Sequence, residues 1–163
     1  MNYIVKSTVP AKEKADCLIV GVFKGKKLSQ AAKELDEASQ GTLTQIIEKG
    51  DLAEELGKTL LLYSIPGICA TRVLFAYCGE ESNFKFADFR KVLYSVGNTI
   101  KSMELNKIVN YLTDVEVIHS LDFNHKIRQG IEITEDCFYK FNQFKTIKID
   151  KVLDSDAIEF VFN

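Results

Sequence analysis

The sequence predicts an α/β fold, in which three layers (α/β/α) surround a mixed central sheet. Apolar runs rich in β-branched residues alternate with segments whose apolar residues recur every three or four positions. This alternation is typical of helices packed around one sheet. A Pro-Gly turn between two of the apolar runs favours an antiparallel pair within that sheet. The 163 residues fit a single domain.

The first fifty residues predict two strands and two helices. Residues 1–6 form a short strand, and the unbroken apolar run 17–23 predicts a strand covered on both faces. Ser29 is expected to cap a helix that ends near Ala38, because its hydroxyl can accept a bond from a first-turn amide. The expected inner side of this helix is Ala31, Ala32 and Leu35. Thr42 is expected to cap a second short helix, which Gly50 ends.

The middle of the chain predicts a hairpin and a long helix. Residues 58–65 and 72–78 are two strands separated by Pro66-Gly67, and antiparallel pairing is expected. Residues 86–103 form the clearest helix, because apolar side chains recur there along one stripe. The stripe consists of Phe86, Phe89, Leu93, Val96, Ile100 and Met103.

The last third predicts a strand over residues 107–113, a helix over 121–141 and a final strand over 157–162. The expected buried side of the helix is Ile127, Ile131, Thr134, Phe138 and Phe141. The charged stretch 147–156 contains no glycine and is expected to be a connection that leaves the domain.

Composition narrows the function classes. The 21 basic and 23 acidic residues give a net charge of −2, which provides no general attraction to nucleic acid or anionic lipid. No apolar stretch reaches the ~18 residues of a membrane span, and the first residues lack the apolar core of a signal peptide. We therefore expect a cytoplasmic protein without a membrane partner. The cysteines show no C-x-x-C spacing and are expected to be free thiols: Cys17, Cys69, Cys78 and Cys137.

The segment 21–27 (GVFKGKK) is superficially similar to a phosphate-binding P-loop. A P-loop has four residues between its glycines and a Ser or Thr after the lysine, whereas this segment has three residues and Lys27 at that place. We therefore expect a strand end followed by a solvated basic turn. The chain also lacks a Gly-Gly pair that would suggest a phosphate cradle.

Candidate catalytic and ligand residues are few. His119 and His125 are six residues apart, which fits neither one helical face nor a familiar ligand spacing, and both are expected at the surface. Cys69 and Cys78 flank the predicted hairpin and are expected to be an ordinary buried pair. A nucleophilic serine needs a base, and no histidine partner is evident for Ser64, Ser95 or Ser102.

The remaining polar candidates also favour structural roles. The acidic residues of the predicted helices are expected on solvated faces: Glu34, Asp36, Glu37 and Asp88. The aromatic segment 138–144 (FYKFNQF) resembles a base-stacking surface, but its helical spacing and acidic neighbours favour a place in the core. The sequence therefore predicts no catalytic, cofactor-binding or metal-ligating residue.

Short motifs follow one another in a fixed order through nearly the whole chain. They are Leu35-Asp36, Gly41-Thr42-Leu43, Gly50-Asp51, the segment 57–63 (GKTLLLY), Ile65-Pro66-Gly67-Ile68, Arg72-Val73-Leu74-Phe75, Cys78-Gly79, Phe89-Arg90-Lys91, Asn98-Thr99 and the segment 141–146 (FNQFKT). This series resembles the N-terminal domain of leucyl aminopeptidases, most closely the bacterial PepA type. Asn142 stands where the family more often has Asp.

The resemblance implies a fold similar to macro domains, and residues 1–163 forming a non-catalytic N-terminal domain. It implies a parent enzyme that removes N-terminal residues, leucine among them, from peptides with two Zn or Mn ions held in a separate C-terminal domain. Homohexamers are implied as well. The family's catalytic signature Asn-Thr-Asp-Ala/Gly-Glu-Gly-Arg does not occur in this chain, so the chain alone is expected to be inactive.

Two other functions stay open. One is a macro-type module that binds ADP-ribose or a related nucleotide. The other is DNA binding, which some bacterial relatives show, with Lys24, Lys26 and Lys27 as its possible footprint.

Overall fold

A computed structural model describes residues 1–119, 122–144 and 159–162 of the chain. Its strands are β1 (Asn2–Val5), β2 (Cys17–Phe23), β3 (Lys27–Leu28), β4 (Thr59–Tyr63), β5 (Arg72–Gly79), β6 (Lys107–Asn110) and β7 (Glu159–Phe162). Its helices are α1 (Gln30–Ala38), α2 (Thr42–Glu48), α3 (Phe86–Ile100) and α4 (Phe123–Phe144). Three short 3-10 turns cover Pro10–Lys12, Glu81–Asn83 and Leu112–Asp114.

The strands form one mixed sheet in the order β1-β7-β6-β2-β5-β4, and β3 pairs with β2. The neighbours from β1 to β5 in this order are parallel, whereas β4 and β3 are antiparallel to their partners. Strand β2 lies at the centre, between β5 and β6, and all seven of its residues are buried. This burial explains why its sequence is an unbroken apolar run.

The two faces of the sheet are covered by different helices. Cys17, Ile19 and Phe23 of β2 pack in a cluster with α3 and α4, while Leu18, Val20 and Val22 pack on the other face with α1 and α2. Successive side chains of a strand point to opposite faces, so β2 contributes to both cores. The predicted α/β/α layering around a mixed sheet is confirmed.

Most predicted elements are confirmed within one to three residues. The strand over residues 17–23 has the predicted bounds, and β4 and β5 form the predicted antiparallel hairpin. Ser29 caps α1, because its hydroxyl accepts a bond from the Ala32 N–H at 3.4 Å. The predicted stripe of α3, and the stripe of α4 as far as Phe138, are buried or partly buried, with Phe89 and Phe138 inside the core.

Four predicted details are wrong. Strand β3 was not predicted, and Gly41 (φ 79°), one residue before Thr42, is the N-cap of α2. Helix α3 ends at Ile100 and not at Met103, because the Met103 N–H bonds the Ile100 carbonyl in a tighter turn. The strand predicted over residues 107–113 ends at 110.

The early end of β6 has a local cause. The Asn110 side-chain carbonyl accepts a bond from the Leu112 N–H at 2.9 Å, and the backbone turns into a 3-10 segment. The predicted start of the long helix at residue 121, the side chain of Phe141 and the predicted connection 147–156 lie outside the described residues.

Candidate functional site

The strand order produces a crevice at the carboxyl ends of β2 and β6. The helices that follow these two neighbouring strands lie on opposite faces of the sheet, α1 and α2 on one and α4 on the other. In open α/β sheets, ligands bind where the connections diverge in this way. The crevice has a volume of about 220 Å³ and is lined by Phe23, Ser29, Gln30, Ala31, Glu81, Tyr111, Asp114, Val115 and Glu116.

Two polar groups of the crevice already have partners within the protein. The Ser29 hydroxyl accepts bonds from the Gly21 and Ala32 amides, at 3.3 Å and 3.4 Å. The Tyr111 and Thr8 hydroxyls are hydrogen-bonded at 2.6 Å. Burial raises the pKa of Tyr111 to about 12, so this phenol stays protonated at neutral pH.

The charge of the crevice is acidic. Glu81, Asp114 and Glu116 line it with exposed carboxylates, and Lys27 forms an ion pair with Glu81. These acids were not recognised from the sequence. The signal that was available is their position: each follows closely after the end of a buried strand. The arrangement suits a cation or a hydrogen-bond donor better than a phosphate.

The basic turn after β2 is a hairpin between β2 and β3. Gly25 and Lys26 both have left-handed backbone conformations, with φ of 76° and 62°. The Lys26 ammonium donates to the Glu48 carbonyl at 3.0 Å, while Lys27 pairs with Glu81. The prediction of a strand end and a basic turn is confirmed. Of the three lysines suggested for DNA contact, Lys27 is thus paired with a carboxylate and Lys26 with a backbone carbonyl, and DNA binding stays a prediction.

Both histidines are exposed, as predicted, and they lie at a loop and at the start of a helix. His119 has a left-handed backbone (φ 64°) just before α4. His125 lies in the first turn of α4, where its ring meets the Phe86 ring edge-on at 5.6 Å.

The predictions for the cysteines are partly confirmed and partly wrong. Cys17, Cys78 and Cys137 are buried thiols, and burial raises the pKa of Cys17 and of Cys78 to about 12. The expected buried pair of Cys69 and Cys78 is wrong, because Cys69 is exposed. Its backbone N–H bonds the Ala11 carbonyl, which holds this loop at the surface before β5 begins.

Other polar candidates serve the fold. Asp36 was expected on a solvated face, but it is only partly exposed and its carboxylate accepts bonds from the Thr44 N–H and hydroxyl, at 2.8 Å and 2.6 Å. Asp88 closes the start of α3 by accepting a bond from the Lys85 N–H at 3.0 Å. In the described ranges, none of Ser64, Ser95 and Ser102 is hydrogen-bonded to a histidine.

The aromatic segment 138–144 is described only in part. Phe138 is buried in the core, as predicted, whereas Tyr139 is exposed. The side chains of residues 140–144 lie outside the described part.

The described residues offer neither a metal site nor a membrane-spanning helix. They contain no group of three His, Cys, Asp or Glu side chains close enough together to hold a metal ion. None of their helices is both long enough and apolar enough to cross a bilayer.

Comparison with known proteins decides the family. A model of the cytosol aminopeptidase family, N-terminal domain, matches residues 19–148. The chain belongs to this family. A probable cytosol aminopeptidase of Thioalkalivibrio sulfidiphilus is 42% identical over 150 residues, which are 92% of this chain and 30% of that protein. A probable cytosol aminopeptidase of Vibrio vulnificus is 35% identical over 148 residues, or 91% of this chain and 29% of that protein. The chain thus spans about 30% of the length of these curated relatives.

Solved structures confirm the fold of this cytosol aminopeptidase N-terminal domain. A mutant of tomato leucine aminopeptidase superposes with a TM-score of 0.71 at 14% identity, over all of this chain and 32% of that chain. The macrodomain of Mycobacterium tuberculosis DarG superposes with a TM-score of 0.66 at 11% identity, over 98% of this chain and 96% of that chain. At such identities the likeness concerns the fold alone, and the predicted macro-like fold is confirmed.

Proposed function

We propose that this chain is the non-catalytic N-terminal domain of a two-metal aminopeptidase, which releases N-terminal residues such as leucine from peptides. The observation that carries the proposal is the family match over residues 19–148, together with the small share of each relative that the chain spans. The chemistry is assigned to the part of the relatives that this chain does not match. On this proposal residues 1–163 have no catalytic residue of their own.

The chemistry of the candidate side chains supports a non-catalytic role for this domain. The acids Asp36 and Asp88 hold helix ends, and the buried thiols of Cys17 and Cys78 have raised pKa values that keep them protonated. A protonated thiol is a poor nucleophile. These two acids therefore have structural roles, and these two thiols are not suited to nucleophilic chemistry.

The metal ions belong to the proposed catalytic domain. The described residues do not bring three ligand side chains together, so they do not fit a two-metal centre, and we derive no reaction step through one here. Zn or Mn as the metal, a homohexameric assembly, peptide substrates and a cytoplasmic location are parts of the same proposal. They rest on the family resemblance.

An activity assay tests the proposal directly. The purified chain is assayed with leucine p-nitroanilide in the presence of Mn²⁺ or Zn²⁺, and we expect no turnover. The same chain fused to the C-terminal part of the Thioalkalivibrio sulfidiphilus relative is the positive control. Turnover that co-purifies with the chain alone through several columns would contradict the proposal.

A macro-type nucleotide module is the second candidate, and the superposition on the DarG macrodomain favours it. The crevice chemistry opposes it, because the carboxylates of Asp114 and Glu116 line the crevice in addition to the Glu81–Lys27 ion pair. Each like-charge pair at about 4 Å costs roughly 1 kcal/mol in water and about 4 kcal/mol near a protein surface. We therefore expect no heat of binding with ADP-ribose in calorimetry. Micromolar binding would promote this candidate over the accessory-domain proposal.

A further inference from the structure

A second cavity lies beside the crevice, on the face of the sheet that α1 and α2 cover. It has a volume of about 330 Å³ and shares Phe23 with the crevice. This volume is near the lower limit of small-molecule sites, which run from about 300 to 1,000 Å³. Its apolar walls are Val22, Phe23, Ile47, Leu52 and Ala53.

Tyr77 lines this cavity with a side chain that carries a hydroxyl group. Tyr77 is only 5% exposed, and none of the described residues hydrogen-bonds its hydroxyl. Within the described part of the chain, no side-chain oxygen that is sealed from solvent lacks a partner. The phenol oxygen is therefore accessible to solvent, in a residue that lines the cavity. An unpartnered hydroxyl on an apolar wall is the kind of group that orients a small ligand.

Two opposite charges stand at the same cavity. Lys26 lies in the hairpin turn after β2 and uses one donor on the Glu48 carbonyl at 3.0 Å, which leaves two of its three donors. Glu54 lies in the loop after α2 and is exposed, and no described residue bonds its carboxylate. Its charge adds to burial in raising the pKa of Tyr77, and both residues line this cavity.

We propose that this cavity binds a free α-amino acid with an apolar side chain. The Lys26 ammonium receives the ligand carboxylate, the Glu54 carboxylate receives the ligand ammonium, and the Tyr77 hydroxyl bonds one of the two. The apolar walls cover the side chain. A ligand of a single charge would leave one of the two protein charges unpaired or repelled, which selects the zwitterion.

This inference goes beyond the proposed function, because it places a non-catalytic binding site in the accessory domain. Free amino acids are what an aminopeptidase releases, so the site would let this domain respond to product. The binding itself does not depend on that activity. Failure of the binding test and failure of the activity test are therefore separate results.

The test is a titration of the ¹⁵N-labelled chain followed by NMR, with leucine as the probe. We expect saturable shifts of the amides of Gly50, Ala53 and Tyr77 at millimolar leucine. Two analogues each lack one charge: 4-methylpentanoate has no ammonium, and 3-methylbutylamine has no carboxylate. We expect each to bind about tenfold to hundredfold more weakly, since a hydrogen bond to a charged group is lost.

Variants assign the two charges. Glu54→Gln is expected to weaken leucine binding at least about tenfold while leaving 4-methylpentanoate unchanged, and Lys26→Met is expected to do the same for leucine while sparing 3-methylbutylamine. Glu37→Gln and Lys33→Met, on the exposed side of α1, remove the same charges and should bind like wild type. Tyr77→Phe keeps the ring and is expected to weaken binding severalfold.

Three results would overturn the inference. They are the absence of saturable shifts in the wild-type chain, shifts confined to amides away from the cavity, and equal affinity for leucine and both analogues. The wild-type titration needs no variant, so a variant that fails to fold cannot leave the question open.

Discussion

Substitution of Gly67 tests how the hairpin between β4 and β5 is held against α1. Gly67 has φ of +82°, and a Cβ built on it would lie 2.1 Å from the carbonyl oxygen of Ala38, at the end of α1. That atom belongs to the backbone, so it cannot turn aside as a side chain would. Gly67→Ala must therefore adopt an unfavourable backbone conformation and also push two segments apart.

The magnitude follows from these two costs. A non-glycine residue in the left-handed region costs about 1 to 2 kcal/mol. Forced overpacking typically costs about 1 to 3 kcal/mol more. We expect Gly67→Ala to lower the free energy of unfolding by about 2 to 5 kcal/mol, out of the roughly 5 to 15 kcal/mol of a typical domain. With a urea dependence of about 2 kcal/mol per molar, the urea midpoint falls by about 1 to 2.5 M.

Gly25 provides the matched control. It has φ of +76°, but a Cβ on it would meet nothing within 4 Å. Gly25→Ala therefore carries only the conformational cost of about 1 to 2 kcal/mol, and a urea midpoint shift of roughly 0.5 to 1 M. Urea unfolding followed by circular dichroism measures both variants. Equal losses of stability in the two would refute the steric part of the reasoning.

Two further predictions concern titratable groups. Cys69 is exposed, while Cys17 and Cys78 are buried and their pKa values are raised to about 12, so Ellman's reagent should label one thiol rapidly in the native chain. Cys69→Ser should abolish this rapid phase of labelling. Rapid labelling that persists in the variant would contradict the burial pattern. Burial alone would raise the pKa of Glu13, but hydrogen bonds from Lys107 and a second lysine outweigh it and hold the pKa below its ordinary value. The resulting stabilisation is present above the unfolded-state pKa of about 4.3 and is lost as pH falls through the folded-state pKa. Glu13→Gln should flatten the acid limb of the stability curve relative to Glu37→Gln, and an unchanged limb would argue against the ion pair.

Much of the fold was predictable because local sequence and tertiary environment agree. The run 17–23 is apolar at every position because β2 has neighbouring strands on both sides and helices on both faces. Ser29 precedes α1 as a cap, and Pro66-Gly67 turns the chain between two antiparallel strands. In each case a short-range signal predicts a structure that the long-range packing also requires.

The wrong details have a different origin. Asn110 ends β6 through its own side chain, within a β-branched segment that otherwise predicts a longer strand. Cys69 is exposed in a loop whose position depends on a hydrogen bond from the Cys69 N–H to the Ala11 carbonyl, almost sixty positions earlier in the sequence. Such contacts depend on which elements become neighbours, and a local pattern does not contain that information.

The crevice and the second cavity could not be predicted from the sequence for the same reason. The crevice exists because β2 lies between β5 and β6, and its acids come from segments that are far apart in the sequence. The second cavity likewise joins Lys26 of a hairpin, Glu54 of a loop and Tyr77 of β5. Lys26 belongs to the basic segment 21–27, but no spacing pattern in the sequence links it to Glu54 or Tyr77.

The backbone fold determines where the crevice lies, whereas individual side chains determine which ligands it can bind. This chain and the DarG macrodomain share their layers at 11% identity, so the crevice at the carboxyl ends of the strands comes with the backbone topology. Its chemistry is set by a few side chains at strand ends. Here Glu81, Asp114 and Glu116 make that crevice acidic, while the adjoining cavity combines one cation, one anion and a phenol. A macro-like fold therefore predicts where this domain has a crevice, and the charges that line it argue against a phosphate ligand there.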